Sequence, residues 1–243
     1  MDSISANSSQ GIISAEKLAK YPPGTILSAK GNKIIAAITQ MATGGPVSHN
    51  AILTRIPGPE TRSGVKPVAV AEIVGSGSRL STVDEFLKRE NRISAQIPPK
   101  NTINPENEAK LYTWVMKNTQ EGAENLQYSI TKAIHSALGI FKHSTNPNPS
   151  TSYCTEFVGN AAKNSGYLPQ EFKSASFNPN TLPAALKKAG YSDPSAFFNG
   201  GIKGLKRLMK NPPSRTLIIN LIKSSFQKLL NFLKTILKSF HRP

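Results

Sequence analysis

Cysteine is almost missing from this chain: among 243 residues there is one, Cys154. A lone cysteine excludes an intrachain disulfide framework and a metal site built from several thiolates. It does not call for an oxidising compartment. Acidic residues are scarce as well, with 14 Asp and Glu against 30 Lys and Arg, for a formal charge of +16. That imbalance implies an anionic partner: lipid headgroups, nucleic acid or an acidic protein. Long apolar runs are lacking too, and none approaches the length of a membrane span. The first ten residues, Met1 to Gln10, carry neither the basic start nor the apolar stretch of a secretory signal peptide. They read as part of a flexible, Ser-rich leader over 1–20. What remains is long enough to bury one core of ordinary size.

The residues that are present give a chemical outline. The run Thr151-Ser-Tyr-Cys154-Thr-Glu-Phe-Val158 opens a helix expected over 154–165, with Phe157, Val158, Ala161 and Ala162 inward and Gly166 as its cap. A thiol at a helix start meets unpaired N–H groups and the positive end of the dipole, which favour the thiolate. Alone, such a cysteine is more often a small core residue. Upstream, Gly24 to Ala29 reads as a strand and 32–42 as a helix stopped by Thr43-Gly-Gly-Pro46. Val47 to Thr54 alternates as a strand with Val47, His49, Ala51 and Leu53 on one face. After a Pro- and Gly-rich loop, Val68, Val70, Glu72 and Val74 share a face of the next strand, which Gly75-Ser-Gly77 ends. His49 and Glu72 are thus polar residues on apolar faces, where each needs a partner. Further helices are expected over 82–89, over 106–118 with Ala109, Tyr112, Val115 and Met116 inward, over 129–138 and over 181–188. A further strand is expected over 92–97. His135 and His143 read as surface residues, and Glu156, on another side of its helix from Cys154, as a capping or structural residue.

Three stretches together resemble a known family. Ile38-Thr-Gln-Met-Ala-Thr-Gly-Gly-Pro-Val-Ser-His49-Asn-Ala-Ile-Leu53 is similar to the histidine motif of circularly permuted NlpC-type papain-like hydrolases, the YiiX/YebB-like branch. Val70-Ala-Glu72 through Phe86-Leu87 resembles the acidic block that follows, and Ser152-Tyr-Cys154 through Gly166 the nucleophile helix. The order His, acidic residue, Cys is the permuted one, shared with the more distant lecithin retinol acyltransferase-like proteins. The resemblance implies an α+β fold with an antiparallel half-barrel sheet packed on helices. It implies Cys154 as nucleophile, His49 as base and Glu72 as the group that orients the imidazole. The backbone N–H of Cys154 would serve as an oxyanion donor. It does not choose among peptidase, amidase, phospholipase and acyltransferase chemistry. No cofactor or metal is implied. The alternative is a catalytically silent module that binds lipid or protein through the same cleft.

From Pro194 onward there is no Asp or Glu, while ten Lys and Arg remain. Within 217–240 an apolar stripe that includes Phe226, Leu230, Leu233 and Leu237 recurs at helical spacing, with Lys223, Lys228, Lys234 and Lys238 off it. A lysine face without acids suits an anionic membrane surface, and these eight residues are the expected membrane contacts. The rival is an ordinary helix docked on the domain. Nucleic acid is disfavoured, since no aromatics interleave with the basic residues. The organisation expected is therefore a leader (1–20), a permuted papain-like domain (21–195) and a basic amphipathic tail (196–243). Leader and tail together suit a cytoplasmic protein, or a bacterial effector delivered into a host cell, held peripherally at a membrane.

Overall fold

The computed structural model describes residues 15–31, 40, 43, 45–57, 67–119, 126–129, 132–133, 136 and 150–198. The expected tail helix, its eight membrane-contact residues, most of the 32–42 and 129–138 helices, His135 and His143 lie outside them. The chain divides into two units, Met1–Gly200 and Gly201–Pro243. The architecture below is that of the first.

The class is α+β. Six strands form one antiparallel sheet: β1 (Ile26–Gly31), β2 (His49–Arg55), β3 (Val68–Val74), β4 (Gly77–Thr82), β5 (Glu90–Gln96) and β8 (Ser195–Phe198), in the order β4-β3-β2-β1-β5-β8. A short parallel pair, β6 (Gln127–Tyr128) with β7 (Thr151–Ser152), leads into the cysteine segment. The helices are α1 (Ala15–Ala19), α2 (Val83–Arg89), α3 (Pro105–Asn118), α4 (Cys154–Asn164) and α5 (Leu182–Lys188).

The sheet is covered on both sides, which its sequence does not advertise. Ile26, Ile52, Ala71 and Ile73 pack against Leu111 and Val115 of α3, Phe157, Val158 and Ala161 of α4, and Leu182 of α5. The opposite face, with Leu27, Ala51, Leu53, Val70 and Ile93, packs against Leu18 of α1 and Val83, Phe86 and Leu87 of α2. Each large side chain so buried contributes about 1.5–3 kcal/mol. Both β2 and β3 are therefore buried at five consecutive positions rather than at alternate ones.

Gly75-Ser-Gly77 ends β3 as expected, in a tight turn with Gly77 at φ +110° that folds β4 back on β3, a further strand. Three expectations are corrected. The buried side of α3 is Leu111, Val115 and Asn118, with Ala109 exposed, because Leu111 and Val115 are the pair that packs into the core on the sheet. Regular structure begins before Tyr21, since Leu18 of α1 is buried in the core. The sheet runs on through Phe198, past the expected boundary at 195.

The helix that carries the cysteine is tightly seated. Gly159 faces Ser174, whose Cβ would lie 2.4 Å from any Cβ added there. Gly166 ends the helix at φ +81°, the left-handed cap that its position in the sequence implies.

Candidate active site

Cys154 is the first residue of α4. The residue before it, Tyr153, is extended (φ −128°, ψ 168°) and offers no side-chain cap to the helix end. The tyrosine instead donates its hydroxyl to the carbonyls of Phe177 (2.9 Å) and Ala175 (3.1 Å), pinning the approach to the helix. Cys154 is 4% exposed. The polar neighbour that acts on it most strongly is His49, the first residue of β2.

His49 also reaches the acidic residue. Its Nε2 lies 2.8 Å from Glu72 Oε2. The register explains the approach: Ala51 pairs with Glu72, so His49, two residues along the same face, sits diagonally across from the carboxylate. Phe86 of α2 closes one side of the ring, with centroids 6.4 Å apart. With Nε2 taken by Glu72, the ring nitrogen left for the thiol proton is Nδ1. Cys154 packs with the α3–α4 side of the sheet, while Glu72 projects with Ala51 and Val70 toward α2. The imidazole at the strand's end bonds the carboxylate and acts on the thiol.

Glu72 is 1% exposed at its side chain and is more heavily bonded than an orienting acid requires. Arg79 Nε (3.1 Å), Ser81 Oγ (2.7 Å) and Arg89 Nη2 all donate to its Oε1. Burial pushes the carboxyl up. The hydrogen bond and charge of His49, with Ser81 and Arg89, outweigh that and bring it down to about 2. Burial pushes His49 down, but its hydrogen bonds to Cys154 and Glu72 and their negative charge raise it well above the usual imidazole range. Burial likewise pushes the Cys154 thiol up. The hydrogen bond and charge of His49, then the Asn50 backbone N–H and the Thr155 hydroxyl, take it below its ordinary value. The two directions agree: the site favours a thiolate beside an imidazolium. Tyr128 and Tyr153 are raised, first by burial and in part by the charge of Cys154.

A second network aligns the strand with the helix. Thr155 Oγ1 donates to Asn50 Oδ1 at 2.9 Å, and Asn50 Nδ2 donates to Ser28 Oγ at 2.9 Å. Glu156 accepts from Ser152 Oγ (3.2 Å) and pairs with Lys132 (3.4 Å).

The structure thus brings together the three residues singled out in the sequence, and adds Asn50, Thr155, Arg79, Ser81 and Arg89. A strand reading of Gly77 to Thr82 would have exposed Arg79 and Ser81, which alternate on the face of Glu72. Asn50 and Thr155 leave no such signature beyond being polar at positions next to the reactive pair. Among the described residues no group of three or more His, Cys, Asp or Glu is placed to hold a metal ion, and no helix is long and apolar enough to cross a membrane.

No protein-family model matches the chain, and no curated protein matches it significantly. Among solved structures it is similar to the metalloprotein yiiX from Escherichia coli O157:H7, at 13% identity and a TM-score of 0.42, over 74% of this chain and 90% of that one. That likeness is one of partial chain course and assigns neither family nor activity.

Proposed function

We propose that the chain is a cysteine-dependent hydrolase or acyltransferase with a permuted papain-like catalytic domain and a half-barrel sheet. It acts on an amide or acyl ester through a covalent acyl-enzyme. The observation that carries this reading is His49 Nε2 at 2.8 Å from Glu72 Oε2, on an imidazole that also lowers the Cys154 thiol. The ordered resemblance of the three motifs to the YiiX/YebB-like hydrolases supports it.

The steps follow from the geometry. His49 Nδ1 holds the thiol proton, and the thiolate sulfur attacks the substrate carbonyl carbon. The carbonyl electron pair moves to oxygen, where the N–H groups of the first turn of α4 stabilise the oxyanion. Collapse expels the amine or alkoxide, which takes the proton from His49. Water or another nucleophile then gives a proton to His49, attacks the thioester and releases the thiolate. Glu72 stays ionised throughout and fixes the ring.

The basic segment 217–240 would bring this chemistry to an anionic membrane surface, through Lys223, Lys228, Lys234 and Lys238 with Phe226, Leu230, Leu233 and Leu237. Sedimentation with acidic vesicles should show salt-weakened binding of the full chain that is lost on removing the segment. Equal binding of both would leave the docked-helix reading standing.

One observation favours a second reading, a silent binding module: Cys154 is only 4% exposed. Lipid and peptide profiling of extracts treated with wild type or Cys154→Ala separates the two. Products that vanish with Cys154→Ala support the enzyme. Products that persist unchanged contradict it.

A further inference from the structure

The two oxygens of Glu72 are used unequally. Oε1 accepts from Arg79, Ser81 and Arg89, whereas Oε2 faces His49. The donors on Oε1 are themselves tied together, since Arg89 Nη2 also donates to Ser81 Oγ at 3.1 Å. A carboxylate pinned by three donors on one oxygen cannot rotate freely, so its other oxygen stays aimed at the imidazole.

The donors come from different elements. Arg79 and Ser81 belong to β4, the strand paired with Glu72's own. Arg89 is the last residue of α2, a position that favours a cation. The same helix places Phe86 against the His49 ring. It is anchored at its start by a capping box, Thr82 with Glu85, in which the Glu85 N–H donates to Thr82 Oγ1 at 3.2 Å and the Thr82 N–H to Glu85 Oε2 at 2.9 Å. One helix therefore touches both the acid and the imidazole. Arg89 is 24% exposed against 1% for Glu72, so it spans from solvent to the buried carboxylate.

We propose that Arg89 is a positioning residue for the Cys154–His49 pair, acting through Glu72 and braced by Ser81. This rests on the nucleophile reading above and extends it to α2. The charged and titratable groups that face the pair are Glu72 from β3, Arg79 from β4, Arg89 from α2, Tyr128 from β6 and Tyr153 before α4. Substitution of Arg89 leaves the other four in place.

The test needs no substrate. The full chain has one cysteine, so the rate of iodoacetamide addition, followed by intact mass against pH, reports thiolate at Cys154 alone. Wild type should show its acid limb below the ordinary thiol range. Arg89→Met should move that limb up by about one pH unit or more, because both the fixed orientation and the charge are lost. Arg89→Lys keeps the charge without the planar fork and should return less than half of the shift. Ser81→Ala changes no charge and should move the limb in the same direction by less. Thermal melts monitor folding, and if Arg89→Met fails to fold, Ser81→Ala and Arg89→Lys carry the test. Limbs that coincide with wild type in the folded variants overturn the inference, as does full restoration by Arg89→Lys. A wild-type limb in the ordinary thiol range overturns the nucleophile reading as well.

Discussion

Thr155 donates its hydroxyl to Asn50 over 2.9 Å, and each stands one residue along from a member of the proposed Cys154–His49 pair. Thr155 follows Cys154 on α4, and Asn50 follows His49 on β2. Both are fully buried. A bond between the neighbours of two reactive groups fixes the separation of those groups, and its burial leaves no water to replace it. Asn50 is held in turn by Ser28 of β1, so the helix start is referenced to two strands.

Thr155→Val removes that bond with almost no change of volume and leaves Asn50 Oδ1 buried without its donor. The expected cost is about 1–3 kcal/mol in urea unfolding. The rate of Cys154 acylation should fall with substrate affinity little changed, since the substitution alters spacing rather than the binding surface. Wild-type stability and rate in the variant would show that the bond aligns nothing.

The opposed directions at Cys154 and His49 define a pH profile. Below the lowered thiol value the thiolate takes up a proton and loses its nucleophilicity. Above the raised imidazole value His49 has no proton for the leaving group. Activity should therefore form a broad plateau, with an acid limb below the ordinary thiol range and an alkaline limb above the ordinary imidazole range. A rate that rises only through pH 8–9, as for an unperturbed thiol of pKa about 8.5, would contradict the ion pair.

Glu72→Gln keeps the size of the side chain and removes its charge. It should slow turnover less than loss of Cys154 or His49, because the acid makes and breaks no bond. Its effect on stability should be larger than an orienting role alone would give, since Arg79 and Arg89 lose their counter-charge. The folded carboxyl is lowered to about 2 from an unfolded value of about 4.3. Its contribution is thus complete above the unfolded value and is lost as pH falls through about 2. His49 runs the other way: its folded value is raised to about 10, so its contribution is complete below about 6.5 and disappears as pH rises through about 10. Denaturation at a series of pH values should show wild type on the order of 3 kcal/mol more stable than Glu72→Gln near neutrality, converging at strongly acid pH. A constant gap across pH would show that the carboxyl is not held ionised by its partners.

The proposed triad is legible because each member interrupts a strong local pattern. His49 and Glu72 break apolar runs that flanking Gly and Pro residues mark as strands, and Cys154 stands where helical periodicity begins. The groups that tune the triad are not. Arg79 and Ser81 lie on a strand whose sequence, Gly-Ser-Arg-Leu-Ser-Thr, has little apolar content and starts inside the Gly75-Ser-Gly77 turn, so nothing marks a second strand there. Arg89 reads as one more cation on a solvated helix; only the fold brings it to Glu72. The spacing of Ala109, Tyr112, Val115 and Met116 turns the expected inward face of α3 toward Ala109, while Leu111, its fully buried residue, lies out of step with Ala109 and Met116. The doubly covered sheet also hid Asn50, whose face reads as polar and outward until α4 is packed on it.

The central claim is that His49 activates Cys154, and intact mass spectrometry tests it most directly. Full-length wild type, His49→Ala and Cys154→Ala are mixed with an activated acyl ester, and adduct is followed with time. The account predicts one acyl group on Cys154 in wild type, none on Cys154→Ala, and acylation slowed by about 100-fold or more in a folded His49→Ala. In turnover of substrate, the Cys154→Ala/His49→Ala double variant should be little worse than either single one, because the two residues act as a unit. Acylation of Cys154 in His49→Ala at the wild-type rate would contradict the account.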